Sequence, residues 1–309
     1  MKLAVLALGV LVASSGCGET VPASSAADPA AKAPSNGGQR SAPLLFEAKK
    51  AGAKPFPFPF VEVKIGETTT RFLVDTGAAV HAIDSEALKA AQLAAPPHAA
   101  SIEIPGWGPL VDHAVTVVEL PASIRAHGIG GILSPQLLAE AGKAVVLDLA
   151  NAQLRLLPRS TAWSQIEDLG TRLTPPAHHF CAADSAGVPG LLIALDGAVD
   201  GEATKLAIDT GASRTLVREG SRGGARVATH PVLGRSIALS SMADLPASIH
   251  GGVPLVVGGL SQTADIGLTP GAPHPQCGYE GRIGMDVLRL CAVAMTADEV
   301  LVACRPSAR

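Results

Sequence analysis

The stretch Thr70-Arg71-Phe72-Leu73-Val74-Asp75-Thr76-Gly77-Ala78 recurs as Thr204-Lys205-Leu206-Ala207-Ile208-Asp209-Thr210-Gly211-Ala212, matching in residue type at nearly every position. The two aspartates stand 209 − 75 = 134 residues apart. An internal repeat constrains the architecture before any single motif does. Upstream of each copy lies a hairpin pattern, Phe60 to Ile65 turning at Gly66-Glu67, and Leu191 to Val199 turning at Asp200-Gly201, with the same distance from turn to aspartate. Downstream, Gly131-Ile132-Leu133 through Leu137-Leu138 corresponds to Gly281-Arg282-Ile283 through Val287-Leu288. Val145 to Leu156 and Cys291 to Val302 then align without a gap. The copies agree at their beginnings, at their ends and in order.

Short apolar runs separated by Gly, Pro, Asn and Asp turns indicate an all-β chain rather than a parallel α/β sheet. Asp84 to Ala94 and Pro135 to Ala141 are the places for short helices, with Asp84 and Ser134 as caps. At 309 residues the chain is long enough for two domains, each with its own core. The repeat puts lobe one at 44–160 and lobe two at 180–309, with a polar, proline-bearing linker at 161–179. A net charge of −3 without a Lys or Arg stripe gives no footprint for a phosphate backbone, so nucleic acid is not an expected partner.

An apolar strand ending in Asp-Thr-Gly-Ala resembles the catalytic motif of the retropepsin-like and pepsin-like aspartic peptidases, and the later Gly-Ile-Leu and Arg-Ile-Gly segments resemble that family's second loop. The resemblance spans residues 55 to 305 and occurs twice. It implies two similar acid-protease β-barrel lobes with a cleft between them. It also implies an endopeptidase in which water is activated between Asp75 and Asp209. Two carboxylates about 3 Å apart cannot both ionise, so they share a proton and supply general acid and base together. Thr76 and Thr210 are expected to tie the two loops together, and Gly77 and Gly211 to let backbone approach the carboxylates. Ala78 and Ala212 look like the retropepsin form. The hydroxyl that pepsins carry there is missing, which implies a milder acid optimum. Ala79 and Ser213 stand where retroviral enzymes have a second Asp, and no Gly-Arg-Asn follows. The family's flap is expected within Ile102 to Val118, where Pro105-Gly106-Trp107-Gly108 would carry an exposed aromatic over substrate. The other reading is a surface hairpin whose Trp107 packs on its own barrel. Lobe two's cover, around His230 to Leu245, is expected to differ. His81 and Arg214 follow the two motifs and are expected to face solvent or pair locally. Such a site takes a peptide in extended form, needs no metal or organic cofactor, and is complete in a monomer. The alternative is a catalytically silent peptide-binding or envelope-structural module on the same scaffold.

Residues 1–17 read as an export signal: Met1-Lys2, the apolar run Leu3 to Val12, and small residues before Cys17. The segment resembles a bacterial lipoprotein signal, which implies lipidation of Cys17 and a membrane-anchored protein of the periplasm or cell envelope. Ser14 stands where that signal has an aliphatic residue, so plain cleavage to a soluble product is the other reading. Residues 18–43 hold almost no large apolar side chain and are expected to be a disordered tether. Four cysteines remain. Cys291 and Cys304 flank a hairpin symmetrically about Thr296 to Glu299, which suits a cross-strand disulfide. That leaves Cys181 with Cys277 as a second, or a metal site with His178, His179 and His274, although the spacing fits no usual zinc pattern.

Overall fold

A computed structural model describes residues 40–46, 57–93, 102–110, 115–173, 179–185, 188–238, 245–273 and 277–305. These lie within one compact unit, Gln39–Arg309. The chain is all-β with a few short helices, and the strands of the described residues form three sheets.

Both copies of the repeat fold the same way. In lobe one the hairpin Phe60–Ile65 and Thr68–Val74 brings the aspartate strand alongside Ile129–Leu133 in parallel. That strand in turn pairs antiparallel with His81–Asp84, which pairs parallel with Val115–Val118. Lobe two repeats each pairing and each direction with Val188–Val199, Glu202–Ile208, Gly281–Ile283, Leu216–Arg218 and Leu260–Thr269. There Leu245–Val257 pairs with both Leu260–Thr269 and Val188–Val199, which closes six strands into a barrel. In lobe one, Ile102–Ile104 pairs back onto Phe60–Ile65. A hairpin with apolar residues on alternate positions leads naturally into such a barrel, because Val61, Val63 and Ile65 turn inward while Glu62 and Lys64 turn out.

The third sheet belongs to both lobes. Its order is Arg40–Pro43, Gln153–Pro158, Lys143–Asp148, Cys291–Met295, Val300–Cys304, Thr171–Arg172. The second hairpin of each repeat therefore pairs with its counterpart instead of completing its own barrel. The central register joins Val146 to Ala294, Leu147 to Val293 and Asp148 to Ala292. Under the gapless alignment of the two copies, Leu147 and Val293 are equivalent residues, so the pseudo-twofold axis of the chain passes between them. Both faces of this sheet are covered. Val145, Leu147, Val293, Met295, Val300 and Val302 join the main core. Ala144, Val146, Ala292, Ala294, Leu301 and Ala303 face Ala162 and Ile166 of the helix Arg159–Glu167. Four alanines on the helix side let the helix sit close, beside the larger Val146 and Leu301.

Four boundaries differ from the sequence expectation. Arg40–Pro43, taken as the end of the tether, is an edge strand of the shared sheet. Within the expected linker, Thr171–Arg172 forms the opposite edge, and the helix Arg159–Glu167, which straddles the expected boundary at 160, covers the sheet. Each lobe thus begins with a strand laid on the shared sheet, and a polar strand of two to four residues carries too little pattern to be read alone. The helices Ser85–Ala90 and the 3₁₀ turn Pro135–Leu138 are present but shorter than expected, and neither Asp84 nor Ser134 caps through its side chain. Asp84 instead accepts from the Leu120 N–H (2.9 Å).

The disulfide Cys291–Cys304 joins directly opposed residues of the last hairpin. Cys277 is also disulfide-bonded, while the side chain of its expected partner Cys181 lies outside the described residues. Cys17 and residues 18–39 lie outside them as well. Replacing Cys291 and Cys304 together with Ala is expected to lower unfolding free energy by about 2–4 kcal/mol, measured by urea titration under oxidising conditions.

Candidate active site

Each aspartate strand ends in a turn held by the strand beside it. The Asp75 N–H donates to Leu133 O (2.9 Å) and the Asp209 N–H to Ile283 O (3.0 Å). The turn then closes on itself, Ala78 N–H to Asp75 O (3.3 Å) and Ala212 N–H to Asp209 O (3.2 Å). Both Ala78 and Ala212 are buried. The threonines join the two turns. Thr76 N–H donates to Thr210 Oγ1 (3.0 Å) and Thr210 N–H to Thr76 Oγ1 (3.1 Å). Each hydroxyl then donates across to the other lobe, Thr76 to Ile208 O (3.3 Å) and Thr210 to Val74 O (2.8 Å). Both threonines are fully buried, so no water competes for these four bonds.

This lattice brings Asp75 and Asp209 together; they are only 3% and 6% exposed. The Gly77 N–H donates to Asp75 Oδ1 (2.7 Å). A Cβ placed on Gly77 would lie 3.1 Å from Asp75 Oδ1 and 3.5 Å from Asp209 Oδ1, so the two carboxylates meet over this one backbone position. A Cβ on Gly211 would lie 2.5 Å from Asp75 Oδ2, closer than real Cβ contacts allow. Glycine is required there because the opposite lobe's carboxylate occupies the space.

Beneath the dyad the lobes do the same work with different residues. In lobe two, Thr215 Oγ1 accepts from Gly284 N–H (3.2 Å), and Thr215 donates to Asp286 Oδ1 through N–H (2.8 Å) and hydroxyl (2.9 Å). In lobe one the counterpart of Thr215 is His81, whose Nδ1 accepts from Ser134 N–H (3.2 Å). His81 is therefore a buried support of the dyad loop; of the two places expected for it, facing solvent or pairing locally, the solvent-facing one does not hold. Met285 N–H donates to Ala212 O (2.9 Å) in lobe two. Pro135 stands at that place in lobe one and has no N–H to give. The Gln136 side chain supplies the missing donor to Ala78 O. Burial pushes the Asp286 carboxyl above its usual range, against the hydrogen bonds from Thr215 and the charge of Arg214. Arg214 itself donates to Asp265 O (3.2 Å) nearer the surface.

Gln136, Thr215 and Asp286 beneath the dyad were not picked out from sequence, and neither was a residue beside it. Arg282 Nη1 donates to Asp209 Oδ2 at 2.7 Å, from a strand position that is otherwise apolar. Burial pushes its guanidinium down, and the charges of Asp209, Tyr279 and Asp75 override this to give a net rise. The signal was visible in the repeat alignment, where an arginine stands opposite Ile132. Trp107 departs from the flap expectation. It is buried in the core, and its turn is docked on the shared sheet through Ser41 N–H to Gly106 O (3.3 Å). Packing on its own barrel wins over exposure because the large indole has apolar core beside it. In the stretch expected to cover lobe two, Val232–Ala238 pairs antiparallel with Leu245–Val257 and is exposed from Val232 to Ile237. Among the described residues, no three His, Cys, Asp or Glu side chains gather in a way that could hold a metal ion.

Comparison with solved structures finds similarity to an aspartic proteinase from Irpex lacteus, at 11% sequence identity and a TM-score of 0.43, covering 87% of this chain and 98% of that one. No family model matches the sequence. No curated protein matches it.

Thr76→Val and Thr210→Val should each lower stability by about 1–3 kcal/mol, since each strands a buried N–H of the opposite loop. A double-mutant cycle read by urea unfolding should show coupling between them. For Asp286 the folded-state value lies above the unfolded one. Its contribution is thus present in acid and lost as pH rises through the folded value. Asp286→Asn keeps an acceptor for Thr215, so its stability relative to the parent should improve as pH is raised from about 4 to about 8, read by thermal melts.

Proposed function

We propose that this chain is an aspartic endopeptidase that hydrolyses peptide bonds with a water activated between Asp75 and Asp209. The observation that carries this reading is the reciprocal threonine lattice. It links Asp-Thr-Gly turns from two copies of one repeat and brings their carboxylates over a common backbone position. A turn that merely needed Asp for its own geometry would require no such partner. Two neighbouring carboxylates with a backbone N–H on one of them supply a proton acceptor and a proton donor on either side of a water. The substrate is an extended peptide, held by main-chain hydrogen bonds and side-chain pockets. Both aspartates come from one chain, so a monomer suffices. The N-terminal segment supports export, with Cys17 as a lipid anchor to the bacterial envelope.

A second reading is favoured by one observation, the part-buried ion pair of Arg282 with Asp209. A guanidinium on one carboxylate suits a site that binds peptide without cutting it. The two readings separate on a mixed peptide library incubated from about pH 3 to 7 with residues 18–309 and its Asp75→Asn and Asp209→Asn variants. The peptidase reading expects cleavage by the parent and losses of about 100-fold to 10,000-fold in both variants. Peptide retained uncut by a folded parent would establish the binding module instead.

A further inference from the structure

The strand Gly281–Ile283 lies between the aspartate strand Glu202–Ile208 and Leu216–Arg218, with Arg282 opposite Ala207 on one side and Leu216 on the other. In lobe one, Ile132 holds the same place, opposite Leu73 and Ala82, and is buried. The register of the repeat is therefore preserved to the residue, and an aliphatic side chain in one lobe is replaced by a cation in the other. The Arg282 side chain is 21% exposed and that of Asp209 9%, so this pair is largely sheltered from solvent screening.

We infer that Arg282 is a positioning residue of the dyad. Its guanidinium supplies beside Asp209 the positive charge that a shared proton supplies in an unassisted carboxylate pair, and its hydrogen bond commits Asp209 Oδ2. The inference rests on the peptidase reading for its kinetic consequence, and on geometry alone for its electrostatic one. Two ionised carboxylates and one guanidinium carry a net charge of −1, the same as two carboxylates sharing one proton. The repulsion that forces an isolated pair to hold a proton is thus largely met by a side chain. An oxygen accepting from a guanidinium is a poor seat for that proton, so the proton-bearing role falls to Asp75 or to Asp209 Oδ1. The symmetry of the repeat is broken at the one place where the chemistry needs two different partners.

A cation 2.7 Å from Asp209 Oδ2 favours the ionised form of the pair. This opposes the effect of the hydroxyl missing at Ala78 and Ala212, which by itself implies a milder acid optimum. Besides Asp209, the groups facing Arg282 are Tyr279 and Asp75. On the neighbouring strand Arg218 stacks over the Tyr279 ring at 5.5 Å and donates to its hydroxyl (3.3 Å). Glu280 accepts from the Lys205 N–H of the aspartate strand (3.2 Å). All of these remain when Arg282 alone is changed.

The test compares the parent with Arg282→Ile, which installs the lobe-one residue, Arg282→Met, which keeps the length, and Arg282→Lys, which keeps the charge. Two readouts are taken on each protein whose thermal melt shows it folded. One is the pH profile of peptide cleavage. The other is the carboxyl carbon shift of ¹³C-labelled aspartate, assigned with Asp75→Asn and Asp209→Asn, which follows proton uptake by the pair whether or not anything is cleaved. The expected result is a shift of proton uptake and of the alkaline limb upward by about 1–3 pH units in the Ile and Met variants, with most of it restored in the Lys variant. Unchanged proton uptake in a folded Ile or Met variant overturns the inference. A parent that cuts nothing while its carboxyl titration moves as expected on substitution removes the peptidase reading and leaves the charge role of Arg282 standing.

Discussion

Two hydroxyl groups hold the centre of this molecule. The Oγ1 atoms of Thr76 and Thr210 each accept an N–H from the opposing turn and donate to the opposing lobe's backbone. Neither turn satisfies its own buried amide. Each depends on the other lobe, so the loops cannot drift apart without leaving buried donors unpaired. The positions of Asp75 and Asp209 are fixed one residue away from these bonds, which leaves little slack between the lattice and the carboxylates. Sub-ångström control of a reacting pair is worth orders of magnitude in rate, and a short covalent reach from a rigid anchor is the simplest way to obtain it.

The lattice is backed by the shared six-stranded sheet, in which hairpins of both repeats pair. Its two faces are built from different residues, larger aliphatics toward the lobes and a mix of alanines with Val146, Leu157 and Leu301 toward the helix Arg159–Glu167. A sheet buried on both sides loses the polar alternation that marks a half-exposed strand. The runs Ala144 to Leu147 and Cys291 to Met295 are apolar throughout for this reason.

Much of the fold is legible in the sequence because the repeat is. The matched hairpins, the Asp-Thr-Gly turns and the Gly-Ile-Leu and Arg-Ile-Gly strands sit in equivalent positions in both lobes, with the same strand directions. The Cys291–Cys304 bridge follows from hairpin symmetry alone. What could not be read depends on partners far along the chain. Nothing local in Val145 to Leu156 says that it pairs with Cys291 to Met295 rather than with its own lobe. Trp107 looks free in a Pro-Gly turn until Ser41 is brought beside that turn from the N-terminal strand. Gln136 gains its purpose only from the missing N–H of Pro135, and His81 only from the Ser134 amide folded against it. Arg282 was in view within the repeat, as a charge opposite Ile132, but its partner Asp209 is 73 residues away and its role needed the distance between them.

The pairing of Leu147 with Val293 has a meaning beyond the packing of one chain. Where equivalent residues of two copies face each other across an antiparallel pair, the edge is self-complementary and the joint is isologous. A single repeat carrying this edge and one Asp-Thr-Gly turn would hold every element of the joint, and two such half-molecules would meet in the same register. The covalent link between the repeats then does two things. It makes assembly of the paired carboxylates independent of protein concentration, and it frees each half to diverge. Ile132 and Arg282 record that freedom, since a true twofold dimer must place the same side chain beside both aspartates.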